Sequence, residues 1–91
     1  MTLLISYDIS DDKLRTKFSK FLSKFGYRIQ YSLFELKNSQ RVIANIQIAI
    51  ESNFSKKFSQ TDSIIIFQLS QTCNIVKYGY AKNMDSDIII I

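Results

Sequence analysis

Residues 5–12, ISYDISDD, set three carboxylates, Asp8, Asp11 and Asp12, within five positions, directly after an apolar run. The chain contains no histidine, and Cys73 is its sole cysteine. That removes Ser-His-Asp and Cys-His catalysis, any zinc site that needs imidazole, and any internal disulfide. Nothing near Cys73 in the sequence argues for a reactive thiol. A general base would have to be a carboxylate, lysine, tyrosine or metal-bound hydroxide. The three acids differ in what local structure asks of them. Asp11 and Asp12 stand where a helix should begin, as a cap and as acids opposing the positive helix end. Asp8 is too early for that role. By strand alternation it shares a face with Leu4 and Ser6, while Leu3, Ile5 and Tyr7 take the other. An Asp at the C-terminal end of a strand, beside a helix N-terminus, is a common ligand position in α/β architectures and also an ordinary turn residue. Alone it makes a poor magnesium site, because that ion takes one or two carboxylates plus water and substrate phosphates. A twofold dimer with its axis near the first strand would set two Asp8 side chains across one ion. Such an ion supplies hydroxide at a phosphodiester without histidine.

The positive charges are the second candidate set. Lysine and arginine number 12 against 8 acids, a net charge of +4 over 91 residues. This mild excess fits a polyanion partner without requiring one. Lys13, Lys17, Lys20 and Lys24 recur at helical spacing, on a stripe separate from the apolar face. A solvated lysine face and a ridge that meets phosphate read alike at this level.

These groups must be positioned by one domain. Hydrophobic residues make up 46% of the chain, enough to fold. No run of 18 apolar residues occurs, so no transmembrane helix or membrane partner is expected. The N-terminus lacks the features of a signal peptide, which makes the cytoplasm the expected location. Leu3 to Tyr7 reads as a strand. Leu14, Phe18, Phe21, Leu22 and Phe25 form the apolar face of a first helix, with Gly26 as its expected stop. Tyr27 to Leu36 is strand-like and long enough to hold a bend or hairpin. Asn38-Ser39 caps a second helix with Val42, Ile43, Ile46, Ala49 and Ile50 on one face, ending near Asn53 to Lys57. Ser63 to Leu69 reads as a buried strand and Ile75 to Tyr80 as another, with Gly79 a bulge or bend. KNMDSD is a loop, and four isoleucines close the chain. Left unpaired, that apolar edge would aggregate, so it should pair with its own sheet or that of a second subunit. Two helices against a mostly antiparallel sheet give an α+β sandwich.

Residues 7–36, YDISDDKLRTKFSKFLSKFGYRIQYSLFEL, resemble the CRISPR-associated endoribonuclease family. This is the small core protein that partners the CRISPR integrase in spacer acquisition. The shared pattern is a strand ending in Tyr-Asp, two acids, a basic helix start, then Gly-Tyr-Arg-Val-Gln-Tyr-Ser-Val-Phe-Glu. DSIIIFQL and Gly79 fit more loosely. The resemblance implies a ferredoxin-like fold, a homodimer, and a C-terminal strand exchanged or added across it. It implies that Asp8 binds Mg2+ at the dimer axis. Tyr7, Arg15, Arg28 and Phe34 match other positions tied to activity in the family, and Ser32 matches as a structural residue. Leu14 departs from the pattern, standing where many relatives carry a second arginine, and Leu33 replaces a common valine.

The residues themselves leave alternatives open. Tyr7 is either catalytic or a core aromatic, and Arg28 either contacts nucleic acid or pairs with a carboxylate. Arg15, Lys13 and Lys17 are candidate phosphate contacts. Phe34, among polar neighbours, reads most readily as a dimer contact. The expected function is a metal-dependent endonuclease of RNA or DNA within the spacer-integration complex. The alternatives are a non-catalytic dimeric scaffold that holds DNA and bridges integrase subunits, or a ribonuclease toxin like virulence-associated protein D.

Overall fold

The structure, a computed structural model, describes residues 1–79. The KNMDSD loop and the closing isoleucine strand, with its proposed exchange across a dimer, lie outside the described residues. Strand β1 (Thr2–Asp8) leads to helix α1 (Asp12–Ser23), then to β2 (Gly26–Gln30) and β3 (Leu33–Lys37). Helix α2 (Gln40–Ala49) follows, extended by a π turn over Ile50–Phe54 and a 3-10 turn over Ser55–Lys57, before β4 (Ser63–Leu69). The sheet order is β2-β3-β1-β4, and every neighbouring pair is antiparallel. This is the split βαβ arrangement, with both helices packed on one face. The expected α+β architecture of two helices on an antiparallel sheet is therefore present.

The core follows from two periodicities. Leu3, Ile5 and Tyr7 point inward from β1, opposite Phe34 and Leu36 of β3. Leu14, Phe18 and Leu22 face them from α1, and Ile43, Ile46, Ile50 and Phe54 from the second helical rod. Phe18 sits edge-on to both Tyr7 and Phe54, with ring centroids 5.1 and 5.0 Å apart. That geometry suits aromatic quadrupoles and adds to the burial of three large rings. Leu14 belongs to this core, so an apolar residue at that position is a packing choice.

Both helices start as the sequence indicates. The Asp11 carboxylate accepts from Leu14 N–H at 2.8 Å, and Ser39 Oγ accepts from Val42 N–H at 3.3 Å. Each cap satisfies one otherwise unpaired donor, worth about 1 kcal/mol.

Three expectations are corrected, and one left open is resolved. Gly26 does not stop α1, which ends at Ser23; it opens β2 instead. A Cβ at Gly26 would meet the Glu35 carbonyl oxygen at 2.2 Å, so the position needs glycine for close backbone approach. The long strand-like stretch is a hairpin that turns at Tyr31-Ser32 and bulges at Ile29, because Arg28 pairs with Phe34 while Gln30 pairs with Leu33. Among the described residues β4 is an edge strand with one open face, since Ile65 and Phe67 remain 53% and 49% exposed. Residues 75–79 form no strand. That segment is held by a side chain, Lys77 on Glu35, while Gly79 makes a bend with a left-handed φ of 64°.

The Gly26 contact yields a direct test. Gly26→Ala must push the added methyl into backbone, so it should destabilise the fold by about 3 kcal/mol, at the upper end of overpacking costs. Urea unfolding of the two proteins would measure it. An unchanged midpoint would mean that the β2–β3 contact is looser than described.

Candidate functional site

The turn from Asp8 to Asp11 is pinned at nearly every polar group. Ile9 is buried, and its carbonyl accepts from Arg15 Nη1 at 2.9 Å. Ser10 donates its N–H to Asp62 Oδ1 at 2.9 Å and its hydroxyl to the same oxygen at 3.0 Å. Asp62 Oδ2 accepts from Ser59 N–H at 3.0 Å. Asp11 caps α1, and Asp12 forms an ion pair with Arg15. The backbone N–H groups of Ser10 and Ser59 hold the Asp62 carboxyl below its usual range, because they stabilise the charged form. Three of the four acids at this end of the sheet are thus committed. Asp8 is the exception. It is exposed, lies opposite Ser63 in the ladder, and its side chain has no hydrogen-bond or ionic partner among the described residues.

Alternation sends Asp8 to the outer face of the sheet, away from both helices. That face also carries Leu4, Ile65 and Phe67. Further along it, Glu35 is buried and paired with Lys77, with Lys37 Nζ 3.9 Å away. Among the described residues, no group of three or more Asp, Glu, Cys or His side chains could hold a metal. Among the described residues, this end of the sheet therefore offers Asp8 alone, with both oxygens free. That fits Mg2+ only where a second copy or substrate phosphates complete the donor set.

Tyr7, Arg15 and Arg28 come together on the opposite, helix side. With Thr16, Ser19 and Tyr31 they line a cleft of about 190 Å³. Arg28 lies over the Phe34 ring, 5.4 Å from its centroid. Burial pushes the Tyr7 hydroxyl above its usual value; the charge and hydrogen bond of Arg28, and more weakly the charge of Arg15, pull it back only in part. Tyr7 is therefore a neutral phenol at physiological pH. It can donate a hydrogen bond but is a poor base.

Phe34 stands differently from the expectation of a dimer contact. It is 1% exposed and belongs to the chain's own core, as part of the sheet's inward alternation. Its role here is to seat Arg28 and pack against Tyr7, 6.2 Å between ring centroids.

Lys13 and Lys17 do not line the Tyr7 cleft. They flank a separate shallow groove of about 160 Å³ with Lys57, Asp11 and Leu14. Lys13, Lys17, Lys20 and Lys24 are all exposed, and none joins an ion pair among the described residues. Lys57 and Asp62 escape sequence reasoning because tertiary contact alone brings them to α1 and to the Asp8 turn. No helix among the described residues is long and apolar enough to cross a membrane.

The chain is thus a small split-βαβ domain with an unpartnered acid on the outer face of its sheet and a basic cleft on the helix side. Residues 1–75 match the family described as CRISPR associated protein Cas2, and the chain belongs to it. The CRISPR-associated endoribonuclease Cas2 of Thermus thermophilus is 36% identical over 92 residues, covering 96% of this chain and 95% of that protein. One from Chloroflexus aurantiacus is 34% identical over 95 residues, covering all of both chains. The crystal structure of Streptococcus pyogenes Cas2 superposes with a TM-score of 0.66 over 79% of this chain and 89% of that one. At 23% identity, that likeness speaks for the fold.

The Asp62 clamp carries a pH signature. Its folded value lies below the ordinary 3.8, so the unfolded chain takes up a proton first as pH falls. The stabilisation is complete above the ordinary carboxylate range and is lost as pH drops through the folded value. Asp62→Asn removes the charge and keeps the shape. It should lower Tm at neutral pH, and the gap to wild type should close below about pH 4. Thermal melts across that range would check it, and a constant gap would contradict the clamp.

Proposed function

We propose that this protein is a magnesium-dependent endonuclease of RNA or DNA that works as a homodimer and as a subunit of the spacer-integration complex, beside the CRISPR integrase. The observation that carries this reading is the isolation of Asp8, the acid left uncommitted at its end of the sheet. Its position on an outer face whose Ile65 and Phe67 are about half exposed supports a second copy docking there. Two Asp8 carboxylates near a twofold axis would then share one ion. Mg2+ held there would supply charge neutralisation at a phosphodiester and would make water more acidic at neutral pH. The chain's own groups do the rest. Arg15 and Arg28 seat a phosphate, the Tyr7 phenol donates to one of its oxygens, and Lys13 and Lys17, joined by Lys57, follow the backbone beyond it. The name endoribonuclease carried by the relatives favours RNA as substrate.

A second reading, the non-catalytic scaffold, draws on the lysine surface and on the lack of a complete metal site within the described residues of one chain. It calls for sequence-independent duplex binding that weakens steeply with salt.

Cleavage assays separate the two. Labelled RNA and duplex DNA would be incubated with wild type and Asp8→Asn, with magnesium and with chelator, while mass is measured in solution. The expected outcome is magnesium-dependent cutting by a wild-type dimer, reduced to background in a mutant that remains a dimer. Cutting that survives Asp8→Asn in a pure sample would overturn the assignment of Asp8. An intact wild-type dimer that cuts nothing would leave the scaffold reading.

A further inference from the structure

Tyr31 has no structural reason to be a tyrosine. It stands at the tip of the β2–β3 hairpin and is 81% exposed, more than any other large hydrophobic side chain among the described residues. It joins no ring–ring contact among the described residues and lies outside the core cluster. Turn chemistry does not call for it either, since such turns favour Gly, Asn and Asp, and neither Tyr31 nor Ser32 has a positive φ. The ring nevertheless borders two recesses at once. On the helix side it walls the cleft of Tyr7, Arg15, Thr16, Ser19 and Arg28. On the other side it lines a wider groove of about 750 Å³ with Arg28, Gln30 and Tyr78.

An aromatic face placed beside a fixed guanidinium matches one nucleotide unit, with the base on the ring and its phosphate on the arginine. Arg28 is already seated on Phe34, and no carboxylate pairs with it among the described residues. Thr16 adds a hydroxyl donor across the cleft, while the Ser19 hydroxyl donates to the Thr16 carbonyl at 3.1 Å. Inside a duplex the base faces are covered by neighbouring pairs, so only an unpaired base reaches Tyr31. We propose that Tyr31 is a base-stacking platform, and that the cleft beside it binds the phosphate of an unpaired nucleotide, in RNA or single-stranded DNA, in preference to duplex. This rests on the nucleic-acid reading above and adds to it the residue that meets the base.

Fluorescence anisotropy with the full chain in chelator would test it, using short labelled single-stranded RNA, single-stranded DNA and blunt duplex. Tyr31→Ala should weaken single-strand binding about tenfold or more and leave duplex binding unchanged, while Tyr31→Phe should stay within about twofold of wild type. The chain contains no tryptophan, so Tyr31→Trp introduces a unique reporter. Its emission should be quenched by single strands and unaffected by inorganic polyphosphate, which offers phosphate without bases. The RNA and DNA arms identify which single strand is preferred. Single-strand binding by Tyr31→Ala equal to wild type, or tryptophan emission indifferent to single strands, would overturn the stacking platform and leave the Asp8 assignment intact. A wild-type protein that binds no nucleic acid would overturn both.

Discussion

Strand β1 has no freedom of register, and the arrangement of both functional faces follows from that. It lies between β3 and β4, and Leu3 and Ile5 are fully buried beneath the helices, with Tyr7 only 5% exposed. A slip of one residue would send Leu4, Ser6 and Asp8 into that core. An uncompensated carboxylate there costs several kcal/mol, so the slip is closed. Tyr7 must therefore face the helices and Asp8 must face away, although they are neighbours in sequence. A single chain cannot bring a Tyr7 phenol and an Asp8 carboxylate to one atom. Any chemistry using both acts at separate points along a substrate or across two subunits.

The positive charge divides into two kinds. Arg15 and Arg28 are held before any anion arrives, one by the Ile9 carbonyl and Asp12, the other by the face of Phe34. Little side-chain freedom is left to lose on binding, and the planar fork suits phosphate oxygens. The exposed lysines of α1 are unrestrained point charges, suited to attraction and to tracking a backbone. Phe34 gains a clear part in this scheme. A core residue that fixes an arginine affects a site it does not line, so truncating it would disturb Arg28 and Tyr7 together.

What the sequence disclosed was whatever a local period or cap can encode. β1, both helices with their caps, and the separation of Asp8 from Asp11 and Asp12 all arise from residues a few positions apart. A bend or hairpin within 27–36 was foreseen but its turn could not be placed, because the bulge at Ile29 shifts the phase that alternation relies on. Gly26 misled because a glycine that ends a helix and one that admits a carbonyl look identical in sequence. β4 was taken for a buried strand because its composition shows no alternation; only the sheet order reveals an edge. Asp62 reaches Ser10 across 52 residues, and no local pattern signals such a partner. For the site, the identities of Tyr7, Asp8, Arg15 and Arg28 were legible, largely through resemblance. Alternation already set Asp8 and Tyr7 on opposite faces of β1; that Arg15 and Arg28 join Tyr7 on the helix side followed only once the elements were assembled.

The outer face is itself divided. Toward β3, Glu35 is sealed by Lys77 from the segment after β4, and Tyr78 of the same segment closes on the groove by Ser6 and Leu33. Withdrawing Lys77 would leave the buried Glu35 carboxylate with only the more distant, exposed Lys37 at 3.9 Å, so this strap resists displacement. Toward β4, Ile65 and Phe67 stand open beside Leu4, in the same sheet row that ends at Asp8. Among the described residues, the β3 half of this face is thus occupied and the β4–β1 half free. In the proposed dimer, self-complementary burial would draw the two β1 strands toward the axis. The strap would then favour the docking mode in which two Asp8 carboxylates approach each other, and disfavour one that separates them.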